Sequence, residues 1–362
     1  MRLTKPQLLT PLQSVLGAVD KKGTIPILSH ALVRLSHDGV VAIGTDSEQQ
    51  IEATAPGMIE GAPLELCVPA RKVVDILKLV PDGAEIELDV TDQTLLIKHG
   101  RSKAKVNLLD PAEFPVMRAD SDHLGDVTID AGQLGKAIAR VAPAMGVKDV
   151  RYYFNGACLE VRGDIAHLIG TDGHRLHACR LSVSSTLTDD RAPIIPRDAV
   201  LELARLLPDQ GEVTISLAER TVGVKLPSLV YTTRVIEGRF PDWRRVIPKP
   251  TLSIEIDREV VLAALRRVSL LANAHRGIAF ELQEGALTLR ATNESHETSE
   301  ETLDLGYSGE PRAYGYNAAY LDAALNTIAH QKADLGLTEI GQALITTPDD
   351  DATQLVVSPM RL

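Results

Sequence analysis

The sequence predicts an α+β chain made of three homologous domains laid end to end. Two observations carry that prediction: a repeat of more than about 120 residues, and the same succession of helical and alternating patterns inside each copy. Gly-Thr-Asp at 44–46 returns at 170–172 and again, as Ala-Thr-Asn, at 291–293. VPARKVVDILKLVPDGAEIEL from Val68 matches IPRDAVLELARLLPDQGEVTISL from Ile195, and YNAAYLDAALNTI from Tyr316 is a third version. Phe-Pro at 114–115 returns at 240–241, with Ser-Pro at 358–359 in the equivalent closing place. Solenoid repeats run to roughly 20–50 residues, so a period this long describes whole domains.

Each copy opens with apolar residues at i, i+3, i+4 spacing, which predicts helices over 5–19, 130–146 and 257–273. Strand patterns follow: HALVRLSHDGVVAIGTD, NGACLEVRGDIAHLIGTD and IAFELQEGALTLRATN. Their HDG, RGD and QEG tripeptides fall where hairpin turns belong. A second helix is predicted near 69–80, 196–207 and 317–329, and further strands close each unit. The pattern breaks at the polar stretch 118–126 and around 247–252, where two prolines intervene. The domains are therefore placed at 1–120, 126–248 and 250–362.

Composition narrows the class. With 44% hydrophobic and 24% charged residues, the chain has the balance of a protein with an ample core. No run of 18 apolar residues occurs and the N-terminus has no signal-peptide pattern, so a cytoplasmic protein with no membrane partner is expected. Cys67, Cys158 and Cys179 are an odd number without a CxxC pair and read as free thiols. The net charge of −11 argues against binding nucleic acid by counterion release. At 3% aromatic residues, a stacking platform for single strands is equally poorly supported.

The stretch GTDGHRLHACR, 170–180, concentrates reactive side chains. The first copy reads GTDSEQQIEA at this place and the third ATNESHETSE. Thr and Asp or Asn persist, as an Asx side chain that bonds its own backbone at a strand end would require. His174, Arg175, Leu176 and Cys179 have no counterparts, so the second copy alone carries something extra. A hydrolase centred on Asp172, His174 and Cys179 is one reading. Against it, residues 174 and 179 would face opposite sides of a strand. His174 and His177 with one cysteine do not make a zinc site, which needs three or four ligands at known spacing.

VRYYFNG, TDGHRL, GRFPDWRRVIPK and the terminal VVSPMRL, in that order on a threefold repeat, resemble the bacterial sliding clamp, the β subunit of DNA polymerase III. The resemblance runs from IPILSHAL (25–32) to the last residue. It implies three clamp domains per chain, each with two inner helices packed on outer antiparallel β-sheets, and two chains closed head to tail into a ring around duplex DNA. It implies a non-enzymatic processivity factor, with no cofactor, that tethers polymerases; a specialised clamp paralogue is the variant reading. A trapped, sliding ring also reconciles the acidic total with DNA, since tight phosphate contacts would brake it. No GxxxxGK[ST] loop is present, so ATP used in ring opening is hydrolysed by another protein.

By the same resemblance, Lys21, Lys22, Arg71, Lys72, Arg140, Lys148, Arg197, Arg266, Arg267 and Arg276 are expected to face DNA. Ala104, Val106, Leu270 and Leu271 are expected at the dimer interface, with Ala104 standing where an aromatic residue is usual. One hydrophobic cleft would receive short linear peptides from the polymerase III α subunit, other polymerases, the clamp loader's δ subunit and repair proteins. Arg151, Tyr153, Phe154, Thr171, Gly173, His174, Arg175, Leu176, Pro241, Arg245 and Val246 would line it. Ile340, Val356, Ser358, Pro359, Met360, Arg361 and Leu362 would complete it, with Ser358 in place of the usual apolar residue. Burying two peptide side chains yields roughly 3–6 kcal/mol, so binding near the micromolar range is expected.

Overall fold

The computed structural model describes residues 1–21, 23–117, 122–348 and 350–362, the side chains of 350 and 351 excepted. Lys22 and the end of the first expected domain, 118–120, lie outside the described residues. Six α-helices occur among the described residues: α1 (Lys5–Val15), α2 (Ala70–Lys78), α3 (Ala131–Val141), α4 (Arg197–Leu206), α5 (Arg258–Val268) and α6 (Ala318–Asn326). They are the six that the repeats predict. The first helix of each unit stops four or five residues short of its apolar pattern. Behind α3 and α5 the chain tightens into 3₁₀ turns, Ala142–Ala144 and Ser269–Leu271, which keep apolar side chains inward without continuing the helix.

Local chemistry explains the starts. Asp130, Asp257 and Asn317 cap α3, α5 and α6 by accepting from backbone amides two or three residues on. At α1, the Gln7 side chain accepts from the Thr4 amide at 2.7 Å. α2 buries Ala70, Val73, Val74 and Leu77 and leaves Arg71 and Lys72 in solvent. The repeated glycine of Gly-Thr-Asp has a packing reason. A Cβ on Gly44 would come 2.8 Å from Val15 O, and one on Gly170 2.8 Å from Val141 Cγ1. In both units the strand end lies directly against the last turn of the first helix.

Among the described residues the strands form four antiparallel sheets. Two have four strands and lie wholly in the first and third units; the other two have nine and eight strands, and each crosses a domain break. Gln49–Pro56 pairs with Leu229–Arg234, setting Ile51 opposite Tyr231, and this joins the first two units. Arg175–Ser182 pairs with Asp350–Val357, setting Leu176 opposite Val356, and joins the second unit to the third. The helices pair within each unit, α1 with α2, α3 with α4 and α5 with α6. Helices also meet across the first break, where Arg205 Nη2 donates to Ser14 O at 3.2 Å. The main core runs through the first two units, the third has its own, and a smaller aromatic cluster gathers around Phe154, Phe240 and Trp243. No helix of the described residues is long and apolar enough to cross a membrane.

Candidate functional site

The site grows out of the turn that all three units share. Asp46 Oδ1 accepts from the Glu48 and Gln49 amides at 2.9 and 2.8 Å. Asp172 Oδ1 accepts from His174 and Arg175 at 2.9 and 3.0 Å, and Asn293 Oδ1 from Ser295 and Glu297 at 3.0 Å each. The Asx reading of the repeat is therefore correct. What the second unit adds is carried on that scaffold. Arg175 Nε donates to Asp172 Oδ2 at 3.0 Å, and its guanidinium lies 4.3 Å from the centre of the Tyr320 ring. His174 stacks on the same ring at 6.4 Å. The second unit thus reaches onto α6 of the third.

Two hollows adjoin here, with Ser358 in the wall of both. The first is a cleft of about 300 Å³. Leu176 and Val356 form its floor, Phe154, Phe240 and Trp243 its aromatic side, and Pro241 and Val246 its rim; Thr171, Gly173, Arg175 and Ser358 also line it. The second, of about 420 Å³, is bounded by His174, Tyr320, Pro359 and Met360, together with His275, Arg276 and Asn317. The apolar walls of the first, with few convergent polar groups, describe a site that binds side chains of a flexible ligand, while the second is lined mainly by polar residues.

Most of the expected cleft residues meet here. Others stand behind or outside the lining. Arg151 lies over Phe154 at 4.6 Å, and its Nη2 donates to Asp172 O at 2.9 Å, so it braces the turn. Hydrogen bonds from Arg151 hold the Asp149 carboxyl down to about 2. Tyr153 packs edge-on against Phe154 at 4.8 Å. Arg245 is exposed and paired with Asp242 at 3.1 Å, and Ile340 is 72% exposed on a turn beyond the rim. Arg361 is exposed, and Leu362 leaves the cleft for a neighbouring sheet. Phe240, Asp242, Trp243, Gln342 and Tyr320 were not expected in the lining. The first three sit inside the GRFPDWRR motif, which was the signal for them; Gln342 and Tyr320 come from the third unit and carry no motif.

Nucleophilic chemistry has no support at this place. Cys179 is 2% exposed and lies in the main core, on the face of its strand opposite Leu176, while His174 is exposed at the turn. His177 is fully buried on the core side, its Nδ1 2.6 Å from Arg140 O, and burial pushes its imidazole down to about 4. No cluster of three metal-ligating side chains occurs among the described residues.

Comparison with known families decides what this arrangement belongs to. The family descriptions "DNA polymerase III beta subunit", N-terminal, central and C-terminal domain, match residues 1–118, 128–242 and 244–361 in turn. The chain belongs to the β sliding clamps of DNA polymerase III. It is 36% identical over 361 residues to the beta sliding clamp of Pseudomonas aeruginosa, covering 98% of both chains. To that of Escherichia coli (strain K12) it is 32% identical over 360 residues, again 98% of both. A crystal structure of the Pseudomonas aeruginosa clamp superposes with a TM-score of 0.96 at 34% identity, covering 100% of this chain and 99% of that one. Another, of the same organism's clamp bound to griselimycin, gives 0.95 at 34% identity over the same shares. The clamp is a processivity factor of DNA replication and not an enzyme, which removes the hydrolase reading.

Lys22 aside, the basic residues expected to face DNA divide into two groups. Lys21, Lys72 and Lys148 are exposed, as is Arg276, which lines the second hollow. The others are engaged within the chain. Arg71 Nη2 donates to the carbonyls of Leu16 and Val19, and Arg197 Nη1 to those of Ala142 and Met145. Arg140 Nη1 donates to Thr353 Oγ1 at 2.9 Å across the second domain break. Arg266 donates to Asp322 and Asn326, and Arg267 to Glu301. Of the expected interface residues, Leu270 is 82% exposed and Leu271 half-buried. Ala104 is half-buried against the core and Val106 fully inside it. The Val106 side chain is therefore unavailable to a partner, because alternation on its strand turns 104 and 106 inward and Lys103 and Lys105 outward.

Proposed function

We propose that the clamp acts as a head-to-tail pair of identical chains closed around duplex DNA in the cytoplasm, each protomer offering the cleft as a docking point. One observation carries the ring. The two four-stranded sheets end in strands paired on one side only among the described residues, Ser102–Asn107 in the first unit and Thr298–Asp304 in the third. The first edge presents Lys103 and Lys105; the second carries Glu300, Glu301 and Asp304. Edges of opposite charge at opposite ends of one chain suit pairing between two copies, which also removes the exposed edges. Leu270 stands beside the acidic edge and supplies apolar surface for a partner to cover.

The cleft supports docking of short peptides from the polymerase III α subunit, other polymerases, the clamp loader's δ subunit and repair proteins. Its apolar floor takes side chains, while the exposed His174 and the half-buried Arg175 at the turn offer donors to peptide carbonyls. The Pseudomonas aeruginosa clamp binds griselimycin, and we place that ligand in the same cleft here. Loading onto nicked circular duplex with a clamp loader tests the ring. High-salt retention on the circle, with rapid loss after linearisation, is expected. Equal, salt-sensitive loss from circle and linear DNA would overturn encirclement.

A further inference from the structure

The C-terminal tail forms part of the second hollow through Pro359 and Met360, and it is pinned at two backbone points. Ser358 N donates to His174 O at 2.9 Å on the second unit, and Met360 N to Gly315 O at 2.8 Å on the third. Gly315 belongs to strand Arg312–Asn317 and faces Ala279 of strand Gly277–Gln283, whose first residue, Gly277, faces Asn317. Strand alternation puts Gly277, Ala279 and Gly315 on one face, a patch without bulk. The tail fills it. A Cβ on Gly315 would overlap Met360 O and come 2.7 Å from Leu362 Cγ; one on Gly277 would come 3.0 Å from Leu362 Cδ2. Neither glycine has a positive φ, so their backbones accept any residue and only the tail demands their size.

We propose that Gly315, with Gly277 beside it, is a positioning residue of the peptide cleft: the two form a seat that holds the C-terminal tail at the depth where Pro359 and Met360 shape the hollow. The Met360 amide bond to Gly315 O anchors the tail in this seat, and Leu362, two-thirds exposed, rests against it rather than on the ligand. The tail bridges two units, so lifting it moves one wall of the hollow relative to the wall at His174. This proposal rests on the reading of the cleft as the docking point.

The test compares wild type, Gly315→Ala, the milder Gly277→Ala, and Gly223→Ala. Gly223 is a strand glycine whose added Cβ meets nothing nearer than 3.8 Å. Two readouts are taken on the intact clamp: hydrogen exchange of the Met360 amide, and griselimycin affinity. Gly315→Ala should speed that exchange and weaken griselimycin by about tenfold. Gly277→Ala should do the same to a smaller degree, and Gly223→Ala should match wild type. Unchanged exchange, or affinity within twofold of a wild type that binds, overturns the positioning role alone. A wild type that binds no griselimycin overturns the cleft reading and this proposal with it.

Discussion

Arg197 and Arg71 play the same part in two repeats, each reaching back from the first turn of its domain's second helix to carbonyls at the end of the first. Arg197 Nη1 lies 2.8 Å from Ala142 O and 3.3 Å from Met145 O; Arg71 Nη2 lies 3.3 and 3.4 Å from Leu16 O and Val19 O. A helix end leaves carbonyls without partners, and a guanidinium fork satisfies two at once. The third unit has Ala318 at the place of Arg197 and ties its helices instead through Arg266 to Asp322 and Asn326. Arg197→Ala should therefore lower stability by about 2 kcal/mol, the range of a hydrogen bond from a charged donor. Arg71→Ala, with longer bonds and an exposed side chain, should lower it by less than about 1 kcal/mol. Thermal unfolding of the two variants checks the order. A larger loss at Arg71 would contradict the staple.

His177 makes stability depend on pH. Its imidazole titrates at about 4 in the fold, against an ordinary 6.5, because burial disfavours the cation. The unfolded chain takes up this proton first, so the clamp loses stability as pH falls from about 6.5 to about 4, and the loss from this group ends there. The full difference corresponds to about 3 kcal/mol. Unfolding midpoints measured between pH 7 and pH 5 should fall more steeply for wild type than for His177→Leu. Parallel slopes would remove His177 as the source.

Much of this was legible because a repeat compares a sequence with itself. The six helices, the Asx turn at Asp46, Asp172 and Asn293, and the oddity of the second copy all follow from that comparison. The register of the sheets that cross the domain breaks was not legible. The register that sets Leu176 opposite Val356 joins residues far apart in the chain, and nothing local in either strand specifies the partner. The same limit hid Tyr320 and Gln342, which reach the cleft through that pairing. Charge patterns could name Arg71, Arg140, Arg197, Arg266 and Arg267 as cationic, but carbonyls and carboxylates brought close by folding decide where their guanidinium groups point.

Glu160 is a buried carboxylate with a task at the cleft. It is 9% exposed, accepts from Arg162 at 2.7 Å and from Arg244 at 3.0 Å, and faces Trp243 Nε1 at 3.4 Å. Arg244 in turn lies 4.3 Å over the Trp243 ring, which lines the cleft. Glu160→Ala should release that ring. Trp243 is the chain's single tryptophan, so its emission reads the event directly. A red shift, a loss of about 1–3 kcal/mol of stability and weaker griselimycin binding are expected together. Glu160→Gln keeps an acceptor oxygen and should give a smaller shift. Unaltered emission in Glu160→Ala would show that packing alone fixes the tryptophan.

The charged edges can be tested by exchanging their signs. Lys103→Glu with Lys105→Glu places acidic side chains on the edge that the proposed ring sets against Glu300, Glu301 and Asp304. Like charges brought together across paired strands destabilise the pair. The side chains at 103 and 105 are exposed and point away from the core, so the protomer should still fold. This variant should remain monomeric at concentrations where wild type is dimeric, by sedimentation or light scattering. A Glu300→Lys, Asp304→Lys chain should fail alone in the same way. A mixture of the two variants puts opposite charges at both junctions: glutamates at 103 and 105 against lysines at 300 and 304 in one, and the unmodified Lys103 and Lys105 against the unmodified Glu300, Glu301 and Asp304 in the other. Mixing should therefore yield a closed dimer of one chain of each kind, and a chain carrying both sets of changes should dimerise with itself. Dimerisation by the chain with both sets, together with its failure in either alone, is the outcome that edge pairing requires. Wild-type dimerisation in the first variant would place the interface elsewhere.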